Sequence, residues 1–333
     1  MHTSFLFILC TFFLMACQPN SNQAKQFSPT IAQDTSQIIQ KQIAAQQYLV
    51  VLGIAQDAGY PQAGCTKSCC AHVWKHPEDI KSVVSLGLVD QIQGKKWMIE
   101  ATPDFKEQMQ RLNTYLPSKS MLPDGILLTH GHIGHYTGLM HLGREVMGAK
   151  NLAVFAMPRM RAFLTNNGPW SQLVKLKNIA LQPIQADSLF RLSSHIKIIP
   201  LQVPHRDEFT ETVGYKIVGK AKTALFIPDI DKWKKWKIDI KSLLKEVDIA
   251  LLDGSFYKNG EIPNRDMSQI PHPFVEESMR LLQDLPKTER AKVHFIHFNH
   301  TNPLIQAQSS ERQEVLKKGY KIAKEGQIIP LDR

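Results

Sequence analysis

Three histidines lie within six residues in the stretch Leu127-Leu128-Thr129-His130-Gly131-His132-Ile133-Gly134-His135. Imidazole nitrogens are common ligands of zinc and other transition metals. The apolar run at 125–129 predicts a buried strand that delivers the histidines to its carboxyl end. Gly131 and Gly134 let the backbone turn sharply there and aim the rings at one point. The pattern predicts a metal site; the alternative is a surface loop that is rich in histidine.

Four further candidate ligands follow predicted strands elsewhere in the chain. In layered α/β folds, ligands bind at the edge where strands end and loops begin. Because all four candidates lie at such positions, the repetition strengthens each of them. Taken singly, His205 has an ordinary loop histidine as its alternative, and Asp253 has a turn before Gly254. The candidates are His205 after the strand at 198–203, Asp229 after 224–227, Asp253 after 249–252 and His297 after 293–296.

From Tyr48 onward, short β-rich runs alternate with helical patterns, and no repeat appears. Pro103, Pro158 and Pro273 stand near the starts of three predicted helices, where a missing N–H does no harm. The alternation predicts one α/β domain over residues 48–333, built as a layered sandwich. The predicted strands are 48–52, 83–89, 97–100, 125–128, 152–156, 195–201, 213–218, 224–227, 249–252 and 293–296, and the predicted helices are 104–115, 137–147, 159–166, 240–247 and 273–282.

Composition limits the class of protein but does not identify its chemistry. The 333 residues are 43% hydrophobic, which is ample for a large globular core. The formal charge of +10 suits an anionic small-molecule substrate or an anionic membrane surface. The one dense cluster, Lys232-Trp233-Lys234-Lys235-Trp236-Lys237, is more typical of a solvated helix face than of a phosphate platform, so no nucleic acid partner is expected. The sequence does not indicate an oligomeric state.

The first residues have a different character. The apolar run at 5–15 is too short to span a bilayer comfortably, and with Leu14-Met15-Ala16-Cys17 it resembles a bacterial lipoprotein signal. The resemblance implies a signal at 1–16, cleavage before Cys17 and a lipid on the Cys17 thiol; an uncleaved anchor is the alternative. Gln18 favours the outer membrane, with the domain facing the periplasm. Residues 17–47 are polar and predict a flexible tether.

Taken together and in this order, the motifs resemble the metallo-β-lactamase-fold superfamily over most of residues 48–305. Within it, the chain is similar to the coenzyme PQQ synthesis protein B family and, more distantly, to the phosphodiesterase of the carbon–phosphorus lyase pathway. The resemblance implies a four-layer αββα sandwich. The matching stretches are Val51-Leu52-Gly53 with Gly59-Tyr60-Pro61-Gln62, residues 129–139, Asp253-Gly254-Ser255-Phe256-Tyr257, and His297-Phe298-Asn299-His300-Thr301-Asn302-Pro303.

The resemblance also implies how the ligands divide between two metal positions. Three imidazoles with an open position for water form the arrangement that lowers the pKa of water to about 7. Zinc is the expected metal, with manganese or iron as alternatives at this centre. By position, His130, His132 and His205 would hold one metal, His135 and His297 the other, and Asp229 would bridge them.

Gly134 departs from the superfamily pattern, because the family has an aspartate between the second and third loop histidines. Glycine has no side chain to coordinate a metal, so the loop does not predict a tight dinuclear centre. The second position is left with His135, His297 and Asp229, and two histidines with one carboxylate suit non-haem iron. Oxidative work like that implied for the PQQ protein family therefore stays an alternative.

Hydrolysis is the first function predicted: a metal-bound hydroxide attacks a phosphodiester or ester-type substrate, and no protein nucleophile is needed. Besides the bridging Asp229, His272 or Asp231 could supply the leaving-group proton. An exposed loop position is the alternative for His272, and a helix cap is the alternative for Asp231. A lipid-anchored binding or carrier protein without turnover is the remaining class, kept open by Gly134.

A second metal cluster is indicated by Gly64-Cys65-Thr66-Lys67-Ser68-Cys69-Cys70. Three thiols cannot all pair, which argues against a simple disulfide framework, although one bridge and a free thiol stay open. Tetrahedral zinc needs a fourth ligand. The resemblance to the phosphodiesterase branch implies His300 for that place, with His72 and His76 as fallbacks. We therefore predict a structural zinc on Cys65, Cys69, Cys70 and His300.

Overall fold

The computed structural model describes residues 43–333. The predicted signal peptide and the tether up to residue 42 lie outside the described residues, so both stay predictions. Gln47, placed in the tether by the sequence, already belongs to the first strand. Among residues 43–333, no helix combines the length and apolar character that crossing a membrane requires.

Two seven-stranded mixed sheets and flanking helices form an α/β sandwich, as predicted. The strands are β1 Gln47–Gly53, β2 Ser85–Asp90, β3 Lys95–Ile99, β4 Gly125–Leu127, β5 Leu152–Ala156, β6 Ile179–Pro183, β7 Phe190–Arg191, β8 Lys197–Val203, β9 Thr212–Val218, β10 Thr223–Ile227, β11 Ile249–Asp253, β12 Val293–Ile296, β13 Lys321–Ile322 and β14 Ile328–Pro330. The first sheet has the order β14-β1-β2-β3-β4-β5-β6, and the second has the order β13-β12-β11-β10-β9-β8-β7.

The layering follows from the two-residue period of the strands. In β1, Leu49 and Val51 join the core cluster shared with the second sheet, whereas Tyr48, Val50 and Leu52 join the cluster beneath the helices. Both faces of the strand are therefore buried, which explains its continuous apolar sequence. Each large aliphatic side chain buried in this way stabilises the fold by about 1.5–3 kcal/mol.

Helices cover the outer faces of both sheets. The helix Phe105–Tyr115 buries Phe105, Met109 and Leu112, which are spaced four and three residues apart and so share one face. The α-helices of the described residues are Ser68–Ala71, Phe105–Tyr115, Ile133–Tyr136, Pro158–Asn166, Trp170–Lys175, Ile240–Leu244, Val275–Leu281, Lys287–Arg290 and Ser310–Lys317, and the 3₁₀ helices are Val73–Lys75, Pro77–Asp79, Thr137–Leu142, Trp233–Lys235, Met267–Gln269 and Pro303–Ile305.

The predicted helix at 137–147 is wrong. The chain instead forms the 3₁₀ helix Thr137–Leu142 and then turns. The cause is tertiary: the Gly138 N–H donates to the Ala101 carbonyl at 2.8 Å, and a Cβ on Gly138 would lie only 2.6 Å from the Phe105 Cβ. Close packing against residues 101–105 therefore replaces the regular hydrogen bonds of an α-helix.

The ten predicted strands all occur, with ends shifted by up to two residues. Four strands were not predicted, namely β6, β7, β13 and β14. They have two to five residues, and β14 exists because it pairs with β1 at the edge of the first sheet. Such short segments carry too little local pattern to be recognised.

Candidate metal centre

The histidine-rich loop leaves β4 and is held by contacts with both sheets. The Tyr215 hydroxyl on β9 donates to the Leu128 carbonyl, and the Gly131 N–H donates to Thr210 Oγ1 at 2.8 Å. Ala101, after β3, donates its N–H to the His135 carbonyl at 2.9 Å. These contacts fix the loop at the carboxyl-terminal ends of the parallel strands, on the edge of the sandwich that both sheets share.

The second sheet supplies ligands from neighbouring parallel strands. β10 pairs in parallel with β11, and β11 pairs in parallel with β12. Asp229, Asp253 and His297 stand at or just after the carboxyl ends of these strands, so they arrive side by side. His297 adopts a left-handed backbone with φ of 68°, an uncommon conformation for a non-glycine residue that is found at active sites more often than elsewhere.

The first cluster contains His130, His132, His205 and Asp229, all buried or nearly so, with one ligand atom from each within 4.8 Å of the others. Asp229 Oδ2 lies 3.4 Å from His130 Nε2 and 3.2 Å from His205 Nε2. His130 Nε2 lies 2.9 Å from His132 Nδ1. The structure therefore brings together the four residues that the sequence assigns to the first metal position.

The second cluster contains His135 and His297, as the resemblance implies, together with Asp57, which sequence reasoning missed. Asp57 Oδ1 lies 3.2 Å from His135 Nε2, and Asp229 Oδ2 lies 3.8 Å from the same nitrogen. Asp57 follows β1 in a segment that is typical of a polar turn. The one available signal was its place after a buried strand, the same placement that marks the other candidates.

His272 and Asp253 form a third group with Asp229 and His297. His272 Nδ1 lies 2.8 Å from Asp253 Oδ2 and 3.1 Å from Asp229 Oδ1. Burial lowers the pKa of His272, but the two carboxylates outweigh it and leave the pKa above its usual value. His272 is buried, so the alternative of an exposed loop position is wrong.

Asp231 lies behind a ligand. Its Oδ1 is 3.4 Å from His205 Nδ1, and its Oδ2 accepts from Lys235 Nζ at 2.8 Å. Burial raises the pKa of Asp231, but hydrogen bonding with His205 and Lys235 prevails and lowers it. This placement suits an orienting role, whereas proton donation to a leaving group stays an untested prediction.

Partners outside the ligand set orient the imidazoles, another feature that the sequence did not reveal. Glu100 is fully buried, with Oε1 3.4 Å from His135 Nδ1. Thr129 Oγ1 lies 2.9 Å from His130 Nδ1, and Ser255 Oγ lies 2.8 Å from His297 Nδ1. Contacts to the far ring nitrogen fix the orientation of metal-binding histidines in this way.

Unpaired polar atoms test whether these residues fit a cation. Buried polar groups are nearly always hydrogen-bonded, and leaving one unpaired costs about 1–3 kcal/mol. Here several converge without hydrogen-bond geometry, although they lie within ionic contact distance of one another. Cations at the two positions would satisfy them. These atoms are Nε2 of His135, His205 and His297 and Oδ1 of Asp57 and Asp229.

Electrostatics keep several ligands neutral. Burial is the largest cause that lowers the pKa values of His130, His132 and His297, the last to about 4. His205 differs: burial lowers its pKa, but the carboxylate of Asp229 outweighs burial and raises it to about 9. Neutral imidazole is the form that binds a metal.

Metal binding at neutral pH is expected to release protons and to strengthen as the pH rises toward about 9. In the metal-free protein, His205 holds its proton up to a pKa of about 9, and that proton must leave before the nitrogen binds a cation. Competition from protons therefore weakens as the pH rises. Calorimetric Mn²⁺ titrations in buffers of different ionisation enthalpy measure the release. An affinity that does not change between about pH 7 and pH 9 would contradict this expectation.

The cysteine cluster also forms. The Sγ atoms of Cys65 and Cys69 lie 3.8 Å apart, and those of Cys69 and Cys70 lie 4.0 Å apart. Zinc–sulfur bonds of about 2.3 Å in a tetrahedron place two sulfurs ~3.8 Å apart. His300 completes the group within 4.8 Å.

The two fallback ligands lie elsewhere. His72 pairs with Asp79 and His76 pairs with Glu78, and both histidines have exposed side chains. His300, not either of these, accompanies the cysteines. The cysteines are free thiols, an arrangement that fits a zinc site rather than a bridge.

A cavity of about 530 Å³ opens between the histidine centre and the cysteine cluster. His272 lines it on one side, and Cys65 and His300 line it on the other. Its cationic residues are Lys67, Arg206 and Arg265. Three positive side chains around one cavity favour an anionic ligand.

The fold and the converging ligands define a class: an α/β-sandwich protein with metal-binding residues on loops at the carboxyl edge of its two sheets. Residues 96–298 match the Beta-lactamase superfamily domain. The chain belongs to this family, as its sequence motifs predicted.

Individual relatives agree with this assignment. The chain is 25% identical over 306 residues to coenzyme PQQ synthesis protein B of Methylorubrum extorquens (strain PA1), covering 85% of this chain and 100% of that protein. The crystal structure of Zn²⁺-bound PqqB from Methylobacterium extorquens has a TM-score of 0.72 at 22% identity, with 85% and 100% of the two chains covered. A diphosphatase from the PhnP family has a TM-score of 0.59 at 23% identity, with 85% and 96% covered.

Proposed function

We propose that this protein is a metal-dependent hydrolase of an anionic phosphodiester or ester-type substrate. The observation that carries the proposal is the first ligand cluster, three imidazoles and one carboxylate, beside a cavity with three cationic side chains. Metal ions bound there would supply a nucleophile at neutral pH and stabilise negative charge that develops on oxygen. The structural likeness to a diphosphatase agrees in fold with this proposal.

The cationic residues have a binding role in this proposal. Arg206 directly follows the ligand His205, so it places a guanidinium at the rim of the metal centre. Lys67 and Arg265 line the same cavity farther along its wall. Guanidinium groups recognise phosphate oxygens through paired hydrogen bonds, which orients a substrate as well as attracting it.

His272 has the proton-donating role. Its Nδ1 faces Asp253 and Asp229, and the residue also lines the substrate cavity. Carboxylates on one side of the ring stabilise the imidazolium, and a ring proton can then reach a leaving-group oxygen on the other side. Ser255 Oγ lies 3.2 Å from His272 Nδ1 and helps to hold the ring in this orientation.

Replacing His132 with alanine tests the proposal. We expect the variant to lose at least ~10²-fold in turnover of a chromogenic phosphodiester, because one of three imidazoles at the first metal position is gone. Arg265→Ala is expected to raise KM more than it lowers kcat, since Arg265 lines the cavity and belongs to none of the ligand clusters. His195→Ala, outside the ligand clusters, is the control and should match the wild type. Unchanged turnover in His132→Ala would remove this centre from the reaction.

An oxidative reaction is the second candidate, favoured by the match to coenzyme PQQ synthesis protein B, which covers 85% of this chain and 100% of that protein. His135, His297 and Asp57 make a two-histidine, one-carboxylate set, which suits non-haem iron. Iron-loaded protein that consumes oxygen with an aromatic amino-acid-derived substrate, and does not hydrolyse esters, would favour this candidate over hydrolysis. Tight binding of an anionic ligand without any turnover would favour a carrier.

The proposed location of the protein in the cell depends on the predicted lipid on Cys17. The tether predicted over residues 17–47, of which Gln47 belongs to β1, would hold the domain at the periplasmic face of the outer membrane. Globomycin-sensitive processing and [³H]palmitate labelling that is lost in Cys17→Ser would support this location. Unlabelled wild-type protein would contradict it.

A further inference from the structure

We propose that Asp57 supplies the carboxylate ligand of the second metal position, in place of the side chain that Gly134 lacks. The inference rests on the proposed metal centre and deepens it. It turns the departure at position 134 from the loss of a ligand into its relocation to another loop. The second position then has Asp57, His135 and His297, with Asp229 shared between both positions.

The space beside Gly134 carries the argument. A Cβ built on Gly134 would lie 2.5 Å from the Asp57 Cα, 2.8 Å from its Cβ and closer still to Oδ1. Real Cβ atoms do not approach other atoms so closely, so any side chain at 134 would displace Asp57. The Asp57 carboxylate therefore occupies the space that an aspartate at 134 would fill.

The carboxylate is aimed at the ligands and is otherwise unpaired. Asp57 Oδ1 is buried, lies 3.2 Å from His135 Nε2 and makes no hydrogen bond. His135 Nε2 and His297 Nε2 also lack hydrogen bonds. The three ligand atoms lie within 4.8 Å of one another and make no hydrogen bond, so a cation between them would be a partner common to all three.

The loop that carries Asp57 is held against the loop that carries His297. The Gln56 N–H donates to the Phe298 carbonyl at 2.8 Å, and Asn299 Nδ2 donates to Gln56 Oε1 at 2.6 Å. The Gly59 N–H closes the turn onto the Gln56 carbonyl at 2.8 Å. Asp57 is thus placed by rigid contacts before any metal arrives, as ligands of a preorganised site are.

Metal counts test the inference without depending on turnover. Full-length protein is loaded with Zn²⁺, freed of loosely bound metal and analysed for zinc. We expect about three ions per chain in the wild type, two in the histidine centre and one at the cysteines, and about two in Asp57→Ala and Asp57→Asn. Gly134→Ala is expected to lose the same ion by displacing Asp57. Asp79→Ala, an exposed aspartate in the same region, is the matched control and keeps about three.

Zinc-edge anomalous diffraction of the loaded wild type adds a readout that needs no variant. An ion about 2.0–2.2 Å from an Asp57 oxygen would support the inference. It is overturned if both Asp57 variants keep the full zinc count, or if the ion near His135 has no Asp57 oxygen in its coordination sphere. A wild type that loads both positions through Asp57 yet hydrolyses nothing would contradict the proposed function alone.

Discussion

Asp229→Ala is expected to empty both metal positions of the histidine centre and to abolish turnover. Asp229 is shared by the first cluster and the group around His272 and His297, and it approaches four imidazoles. No other described residue is placed to bridge the two positions. Loss of the metals removes several kcal/mol of transition-state stabilisation, which corresponds to roughly 10³-fold or more in rate.

The expected zinc count in Asp229→Ala is about one per chain, the ion of the cysteine cluster. This result separates the variant from His132→Ala, which removes a ligand of the first position only. Asp284→Ala, an exposed carboxylate paired with Lys241, is the matched control and should keep full metal and activity. If Asp229→Ala retains both ions and more than about a tenth of the wild-type rate, its bridging role is wrong.

Removal of the cysteine cluster is expected to have the largest effect on stability. The double variant Cys65→Ser/Cys69→Ser should lose one zinc per chain and several kcal/mol of unfolding free energy, which lowers Tm by roughly 10 °C. The physical reason is that zinc would join residues 65–70 to His300, only three residues from the ligand His297. Differential scanning calorimetry with parallel zinc analysis measures both effects.

Ser68→Ala, an exposed change inside the same loop, is the control for this variant and should leave Tm unchanged. Alkylation of the unfolded, chelator-treated wild type distinguishes zinc from a bridge. Mass spectrometry of the peptide that contains residues 65–70 should show all three cysteines modified. A pair that resists alkylation until a reductant is added would mean a disulfide instead.

The zinc variant also bears on the active site. The loop at 56–70 carries Asp57 at one end and the cysteines at the other, and the Tyr60 hydroxyl donates to the Cys69 carbonyl at 2.8 Å. Loss of a zinc ion there would loosen the cysteine end of this loop, while the hydrogen bonds of Gln56 with the His297 loop would still hold the end that carries Asp57. A zinc ion at the cysteines would therefore stabilise the fold mainly, with a smaller effect on the second metal position.

The local sequence pattern was sufficient to predict a strand wherever the segment itself carries enough apolar residues to be buried. The apolar runs of β1, β10, β11 and β12 identified those strands, because each run is long enough and apolar enough to predict a buried strand by itself. The helix predicted at 137–147 failed for the opposite reason: Gly138 bonds to Ala101, an interaction that the local sequence does not reveal.

The sequence by itself determined the histidine loop, the candidate ligands at strand ends and the membership of the superfamily. The reason is that each of these features depends on residues close together in the chain, whose spacing after a strand can be read directly. Only the tertiary structure decided that Asp57 fills the space beside Gly134 and that Glu100 stands behind His135. Glu100 reaches His135 through the parallel pairing of β3 with β4, and Asp57 reaches the site through the hydrogen bonds of Gln56 with the His297 loop. The meeting of two loops is a property of packing in three dimensions, and a one-dimensional pattern shows a missing aspartate without showing its replacement.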